Sequence, residues 1–320
     1  MALTSVLVLG PTGGFGQFIL NDLVRRKSEF KRIAAIVDTT REVSKTKAKL
    51  LDGFAAQGIE LVRGSPLDAV VYEGFDVVIA ILGNHAIKNQ PEQIDVAISA
   101  GVRHWYPSEF GADLTVPGNW EERYYRDKAL TRNHLKQRAT EVEGFGYTYV
   151  VYGRFTEWAP VPHFGIYPKQ GKANIVGSPD MLQSLTPVKD CASYLVSTLL
   201  IAPEGSERTF RFVGGNYPWS EIFQTLERVQ GKKYDVLYKP VDEARATQKK
   251  AIQSGDVDLE LACSHQVIQG TGRTLVPAPY DNEKFPHIVP ASLETAFRSM
   301  FEDETMRTTL GFNKLFSEIF

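Results

Sequence analysis

Residues 10–16, Gly10-Pro11-Thr12-Gly13-Gly14-Phe15-Gly16, carry glycines at three-residue spacing, a pattern suited to holding phosphate. Gly10 permits a sharp turn, Gly13 lets backbone approach a diphosphate, and Gly16 lets a helix pack closely on a sheet. Amides at the start of that helix, including those of Thr12, Gly14 and Phe15, would face the phosphates with the helix dipole behind them. A glycine-rich turn without a ligand is the plainer alternative. Placement between an apolar run and an amphipathic stretch favours binding. Asp38 closes the run Ile36-Val37, where an acidic side chain would accept from both ribose hydroxyls of NADH and repel a 2′-phosphate. Arg41, with Lys45 or Lys47, could instead pair with the 2′-phosphate of NADPH, or stand as a solvated helix start. The residues leave both cofactors open.

Lys128 is the candidate for proton chemistry. A desolvated lysine beside bound cofactor loses basicity and can donate or relay a proton while hydride moves, and it can also hold the nicotinamide ribose as a cofactor-binding group; a solvated helix lysine is the alternative. Tyr124 lies four residues earlier and would share its helix face, a Tyr-x-x-x-Lys spacing that makes it a second, weaker catalytic candidate, although the adjacent Tyr125 shows how easily that spacing arises by chance. Gly83-Asn84-His85 follows an apolar run, where backbone and small polar groups could touch a nicotinamide ribose; His85 equally suits a surface loop. Ser108 and Glu109 follow another run, as ligand contacts or as turn-fixing groups, and Phe110 suits either a wall against nicotinamide or ordinary core. Phe155, Trp158, His163 and Phe164 could line a pocket for a flat ring system or pack in the core. His265 falls in a segment read as a Gly/Pro-rich loop from Ser264 to Pro290, and could contact substrate from a lid. No HxxxH or CxxC pattern appears, so a metal mechanism has no sequence support, and a serine-hydrolase elbow is absent.

Short apolar runs alternating with amphipathic stretches must position these groups. Strands are expected at Val6–Leu9, Arg32–Val37, Ile59–Val62, Val77–Leu82, His104–Tyr106 and Tyr147–Tyr152. Helices are expected at about 15–26, 42–57, 90–101 and 121–142, with Gly58, Gly101 and Gly144 at or beyond their ends. This is an α/β chain with a doubly wound parallel sheet of Rossmann type. Residues 1–153 form the NAD(P)-binding domain and 154–320 a smaller, partly interleaved α/β substrate lobe. A helix near 189–201 returns to the first domain. Thr209–Val213 and Tyr234–Tyr238 read as strands, Trp219–Gln230 and Val241–Gln253 as helices, and a helical pair ends the chain.

The 320 residues carry 36 Lys plus Arg against 38 Asp plus Glu, a net charge of -2, so no global field draws the chain onto nucleic acid or anionic lipid. Cys191 and Cys263 stand far apart, as suits a reducing, cytoplasmic setting, and the N-terminus lacks the pattern of a signal peptide. No apolar run approaches the ~18–20 residues that cross a bilayer. Small molecules or proteins are the expected partners, with the chain a monomer or homodimer.

The chain resembles the NmrA-like and isoflavone reductase-like branch of the atypical short-chain dehydrogenases. The resemblance rests on the glycine loop, Gln93 in the helix before Gly101, Pro107-Ser108-Glu109-Phe110-Gly111, Lys128 ahead of Tyr147-Thr148-Tyr149, and Pro187-Val188-x-Asp190. It implies an NADPH-dependent or NADH-dependent reductase, fungal and serving secondary metabolism, with substrate held between the two lobes and Lys128 as the catalytic lysine. An aromatic or polyketide-like carbonyl, imine or activated double bond would be reduced. One departure is Asp38, where the family's reductases usually carry a phosphate-holding arginine. Tyr124 has no counterpart in their mechanism. The alternatives are a dinucleotide-binding redox sensor of NmrA type and a non-redox isomerase or cyclase.

Overall fold

The computed structural model describes residues 2–311 and Ile319. β1 (Ser5–Leu9) is buried at all five positions, which explains its apolar run Val6–Leu9: a parallel strand covered on both faces has no polar side to show. It pairs in parallel with β2 (Arg32–Asp38), which pairs with β3 (Glu60–Gly64), and on its other edge with β4 (Val77–Ala80). β5 (His104–Tyr106) and β6 (Gly146–Val151) extend that side in parallel, and Glu207–Arg211 completes a seven-stranded sheet. Val6 lies opposite both Ile33 and Val77, so β1 is the centre from which the chain winds first one way and then the other. That reversal opens a crevice beyond the carboxyl ends of β1 and β4, where ligands of such sheets bind.

The crossovers are α1 (Gly14–Arg25), α2 (Lys45–Ala56), α3 (Gln90–Ser99), α4 (Arg123–Glu141) and α5 (Val188–Leu199). Leu7, Ile36, Val78, Trp105 and Tyr149 belong to one buried cluster within this unit. The sheet-bearing unit comprises the chain up to Glu109, Asp127–Val150 and Ala192–Phe210; the second comprises Phe110–Arg126, Val151–Cys191 and the chain from Arg211. The first crossing, at Phe110, lies well before the division expected after residue 153.

The second unit holds two three-stranded sheets. In one, Leu182–Thr186 pairs antiparallel with Gly215–Pro218 and parallel with Arg154–Phe155. In the other, Lys172–Val176 pairs parallel with Asp235–Lys239 and antiparallel with Ile166–Tyr167. α6 (Trp219–Gln230) and, after α7 (Val241–Ser254) and α8 (Val257–Gly270), α9 (Leu293–Glu302) share an apolar core; α10 (Glu304–Leu310) follows. Trp219, Ile222, Phe223 and Leu226 repeat at three- and four-residue intervals and meet Leu293 and Phe297 there.

The segment around His265 corrects the sequence reading. It is not a loop: Gly255, at φ 73°, ends α7, and the Asp256 carboxylate accepts the Leu259 amide at 3.0 Å to start α8. Cys, Ser, His, Val and Ile are weak helix formers, and burial of Leu261, Ser264, Val267 and Ile268 along one face overrides that weakness.

Candidate active site

A crevice of ≈ 220 Å³ lies at the switch point, lined by Leu9, Gly10, Thr12, Asp38, Arg41 and Gln93, among others. Gly10 has φ 87°, and a Cβ there would overlap the Ile81 carbonyl. A Cβ on Gly16 would overlap the Gly10 carbonyl oxygen. The fold itself therefore demands both glycines. Gly13 differs: it caps α1 at φ -70°, ψ 161°, and the nearest atom to an added Cβ would be Gly10 O at 3.6 Å. The chain needs no glycine at this position, whereas close approach of a phosphate does. α1 also begins without a side-chain cap or an acidic residue in its first turn, so no carboxylate offsets the positive end of its dipole. Gln93 Oε1 is buried and lacks a hydrogen-bond partner among the described residues, leaving an acceptor at the crevice wall. These features fit a dinucleotide. Gly10, Thr12 and Gly13 would hold its phosphates, and Asp38, Arg41 and Lys47 would face the adenosine end. Phe15 is buried in the core, so only its backbone is suited to a ligand role.

Asp38 is already engaged. Its Oδ1 accepts the Thr40 amide at 2.9 Å and the Thr40 hydroxyl at 2.6 Å, while Arg41 Nε stands 3.7 Å from Oδ2. The carboxylate thus fastens the turn after β2, a role its short side chain suits.

Beyond β4, Gly83 accepts the Ala86 amide at 2.8 Å; Gly83 and His85 are exposed and Asn84 is half-buried. Ser108 joins two strand ends: its Oγ donates to Ala80 O at 2.8 Å and accepts from Leu82 N at 2.8 Å, and its amide donates to Gln90 Oε1 at 3.0 Å. Ser108 therefore braces the mouth of the sheet from beneath, buried at 3% exposure.

α4 turns an unusual buried stripe inward: Lys128, Thr131, Arg132 and Leu135, at helical spacing. Lys128 is 3% exposed, and its Nζ donates to the main-chain oxygen of Glu109 at 2.5 Å. The Glu109 carboxylate receives a fork from Arg132, Nε to Oε1 at 2.8 Å and an Nη to Oε2 at 3.0 Å. The Arg132 guanidinium also lies 4.1 Å above the Tyr149 ring centroid. Glu109 therefore serves two partners from α4, its main-chain oxygen accepting from Lys128 and its carboxylate pairing with Arg132.

In the second unit, Phe110 is the one non-glycine at positive φ among the described residues, at 45°, and stacks on Tyr152 with ring centroids 6.4 Å apart. Tyr152 lies 6.2 Å from Phe155, and Phe155 lies 5.3 Å from Trp158, forming an aromatic row. A separate cluster joins His163, Phe164, His265 and Tyr124: the imidazoles of His163 and His265 share a 2.6 Å hydrogen bond, and the Tyr124 ring lies against His265. Burial, then the nearby Arg154 guanidinium, pulls His163 below the ordinary histidine range, while Asp258 opposes them. Tyr124 and Lys128 lie one turn apart in α4, with the division between units falling between them.

A model of the NmrA-like family matches residues 3–298. The chain belongs to the NmrA-like family. It is 28% identical over 293 residues to an isoflavone reductase homolog of Zea mays, spanning 86% of this chain and 90% of that protein. It is 25% identical over 276 residues to a phenylcoumaran benzylic ether reductase of Ginkgo biloba, spanning 82% and 87%. Among solved structures, AtPrR2 with NADP+ and (+)pinoresinol superposes with a TM-score of 0.77 at 22% identity, over 94% of this chain and 99% of that one. Leucoanthocyanidin reductase with NADPH from Vitis vinifera gives 0.76 at 18%, over 92% and 99%.

Several residues of this NmrA-like chain escaped sequence reasoning. Arg132 stands four residues after Lys128, a visible spacing, but its partner lies 23 positions back in the chain at the end of β5. Gln90 and the lining role of Gln93 and Asn89 depend on how α3 meets the strand ends. Among the described residues no group of three or more His, Cys, Asp or Glu could hold a metal ion, and no helix is long and apolar enough to cross a membrane.

Proposed function

We propose that this NmrA-like protein is an NADPH-dependent reductase of a small aromatic molecule, with Lys128 as the proton donor. The observation that carries the reading is the buried Lys128 ammonium, held at 2.5 Å by Glu109 O, in a unit whose Gly13 is spared a side chain the fold would tolerate. Reductase relatives matching most of the chain support the same activity. A nicotinamide nucleotide held by Gly10, Thr12 and Gly13 would supply the hydride for one end of a polarised carbonyl, imine or activated double bond. Lys128 Nζ gives a proton to the other end, directly or through one water, completing a two-electron reduction, and recovers its proton from solvent. General acid catalysis of this kind contributes roughly 10²–10⁴-fold.

NADPH is preferred over NADH because Thr40 occupies Asp38 Oδ1, while Arg41 and Lys47 line the crevice as cations for a 2′-phosphate. The aromatic substrate class is supported by the rings of the second unit. Phe155, Trp158, His163, Phe164 and His265 are each half-buried, as side chains serving recognition are. Gly83, Asn84 and Ser108 are assigned to the nicotinamide end, Ser108 as a brace, and Phe110 as an apolar wall. Tyr124 is assigned no proton-transfer step.

The test is Lys128→Met with NADPH and a panel of phenolic ketones and enones, followed at 340 nm. Turnover by the wild type and a fall of roughly 10²-fold or more in kcat, with NADPH affinity kept, support the reading. Full turnover by a folded variant overturns the role of Lys128, and tight NADPH binding without wild-type turnover favours a sensor.

A further inference from the structure

The buried ion pair Glu109–Arg132 has no direct part in proton transfer as described, and stability does not explain it. Glu109 is 3% and Arg132 9% exposed, and pairs so deeply buried are often no more stabilising than apolar residues of the same volume. Its geometry suggests a different task. Lys128 is held by a main-chain oxygen, which no side chain can replace and whose direction depends on the turn that carries it. That turn is not at rest by itself: the next residue, Phe110, sits at φ 45°, a region that β-carbon sterics disfavour and that persists only where surroundings over-determine it. Arg132 grips both oxygens of the preceding side chain in a planar fork, and its guanidinium is stacked on Tyr149. Lys128 and Arg132 also sit one turn apart on α4, so one rigid helix holds both the carbonyl's partner and the carboxylate's clamp.

We propose that Arg132, acting through Glu109, is a positioning residue that aims the Lys128 ammonium; this rests on the reading of Lys128 as proton donor. The expected consequence is a loss in kcat without loss of cofactor affinity. Removing one partner strands a buried charge and could unfold the protein, so the decisive variant is the double substitution Glu109→Gln/Arg132→Met, which leaves no orphaned charge. Arg132→Lys serves as the conservative comparison, keeping the charge but not the fork. Folding is verified by thermal melting, and two readouts are taken.

Turnover with NADPH should fall at least 10-fold in kcat for the double variant, with NADPH Kd within twofold of wild type, and Arg132→Lys should recover part of the loss. In cofactor-free protein, acetylation of Lys128 by an N-hydroxysuccinimide ester, read by peptide mass spectrometry against exposed Lys249, should rise at least fivefold. A folded double variant that keeps wild-type kcat overturns the proposal, as does one in which Lys128 stays as protected as before. If the wild type itself reduces no substrate, the functional reading fails, and the labelling alone then decides whether Arg132 holds Lys128.

Discussion

Substituting alanine at Gly13 should separate ligand binding from folding. Gly13 already has φ -70°, ψ 161°, extended backbone open to any L-residue, and an added Cβ would stand 3.6 Å from Gly10 O, an ordinary contact. Restricting the unfolded chain favours the variant by about 0.4–1 kcal/mol, and alanine is a poorer N-cap than glycine by a similar amount. Stability should therefore change by no more than about 0.5 kcal/mol as these effects cancel. For the cofactor the balance is different. A methyl group at the N-cap occupies the space a diphosphate oxygen needs to reach the amides of the first turn, and a hydrogen bond to a charged acceptor contributes about 1.5–3 kcal/mol. Losing one such bond weakens Kd roughly 10- to 150-fold.

Gly16→Ala is the contrasting variant. Its Cβ would overlap the Gly10 carbonyl oxygen and press on Pro11, so the loop must shift, at the cost of about 1–3 kcal/mol typical of overpacking. Both variants and the wild type are titrated with NADPH by fluorescence or calorimetry and unfolded with denaturant. Gly13→Ala should fold like wild type and bind poorly; Gly16→Ala should lose stability. If Gly13→Ala binds NADPH like wild type, the loop does not cradle phosphate and the functional reading falls with it.

Arg41→Ala should weaken NADPH by roughly 10- to 150-fold and leave NADH unchanged, because one charge-assisted phosphate contact is lost; an equal effect on both nucleotides would place the 2′-phosphate elsewhere. Asp38→Ala should loosen the turn held through Thr40 yet raise NADPH affinity relative to NADH, since it frees Arg41 from its acidic neighbour; a selective loss of NADPH affinity would contradict this. Burial pushes the Glu157 carboxyl up to about 7, so the folded state takes its proton before the unfolded chain does, and stability from this group rises as pH falls from above 7 toward 4.5. Relative to Glu157→Gln, the wild type should gain on the order of 2 kcal/mol between pH 8 and pH 5.5; an unchanged difference between the two denaturation curves would refute the assignment. His104, drawn down to about 3 by burial and then by Arg208, acts in the opposite direction, because the unfolded chain protonates first as pH falls below 6.5. Both proteins retain His104, so the comparison isolates Glu157.

Residues that build the sheet announce themselves because burial on both faces forces unbroken apolar runs such as Val6–Leu9 and Val77–Ala80. Arg154–Phe155 and Ile166–Tyr167 are two residues each, too short for any period to register, and their pairing is dictated by neighbours distant in sequence. α8 was hidden for another reason: its propensity is low and tertiary burial supplies the difference. At the site itself, one letter serves three purposes. Gly10 and Gly16 answer to carbonyls of their own chain that a side chain would strike, whereas the space beside Gly13 would accept one, a difference the letters do not carry. Glu109 shows the same limit. Its place after β5 was legible as a turn, but its carboxylate and its carbonyl serve different partners, Arg132 and Lys128, which meet it only because α4 returns to the end of β5. A motif such as Pro107-Ser108-Glu109 therefore marks where chemistry is assembled, while the work each atom does is set by what the topology brings back to it.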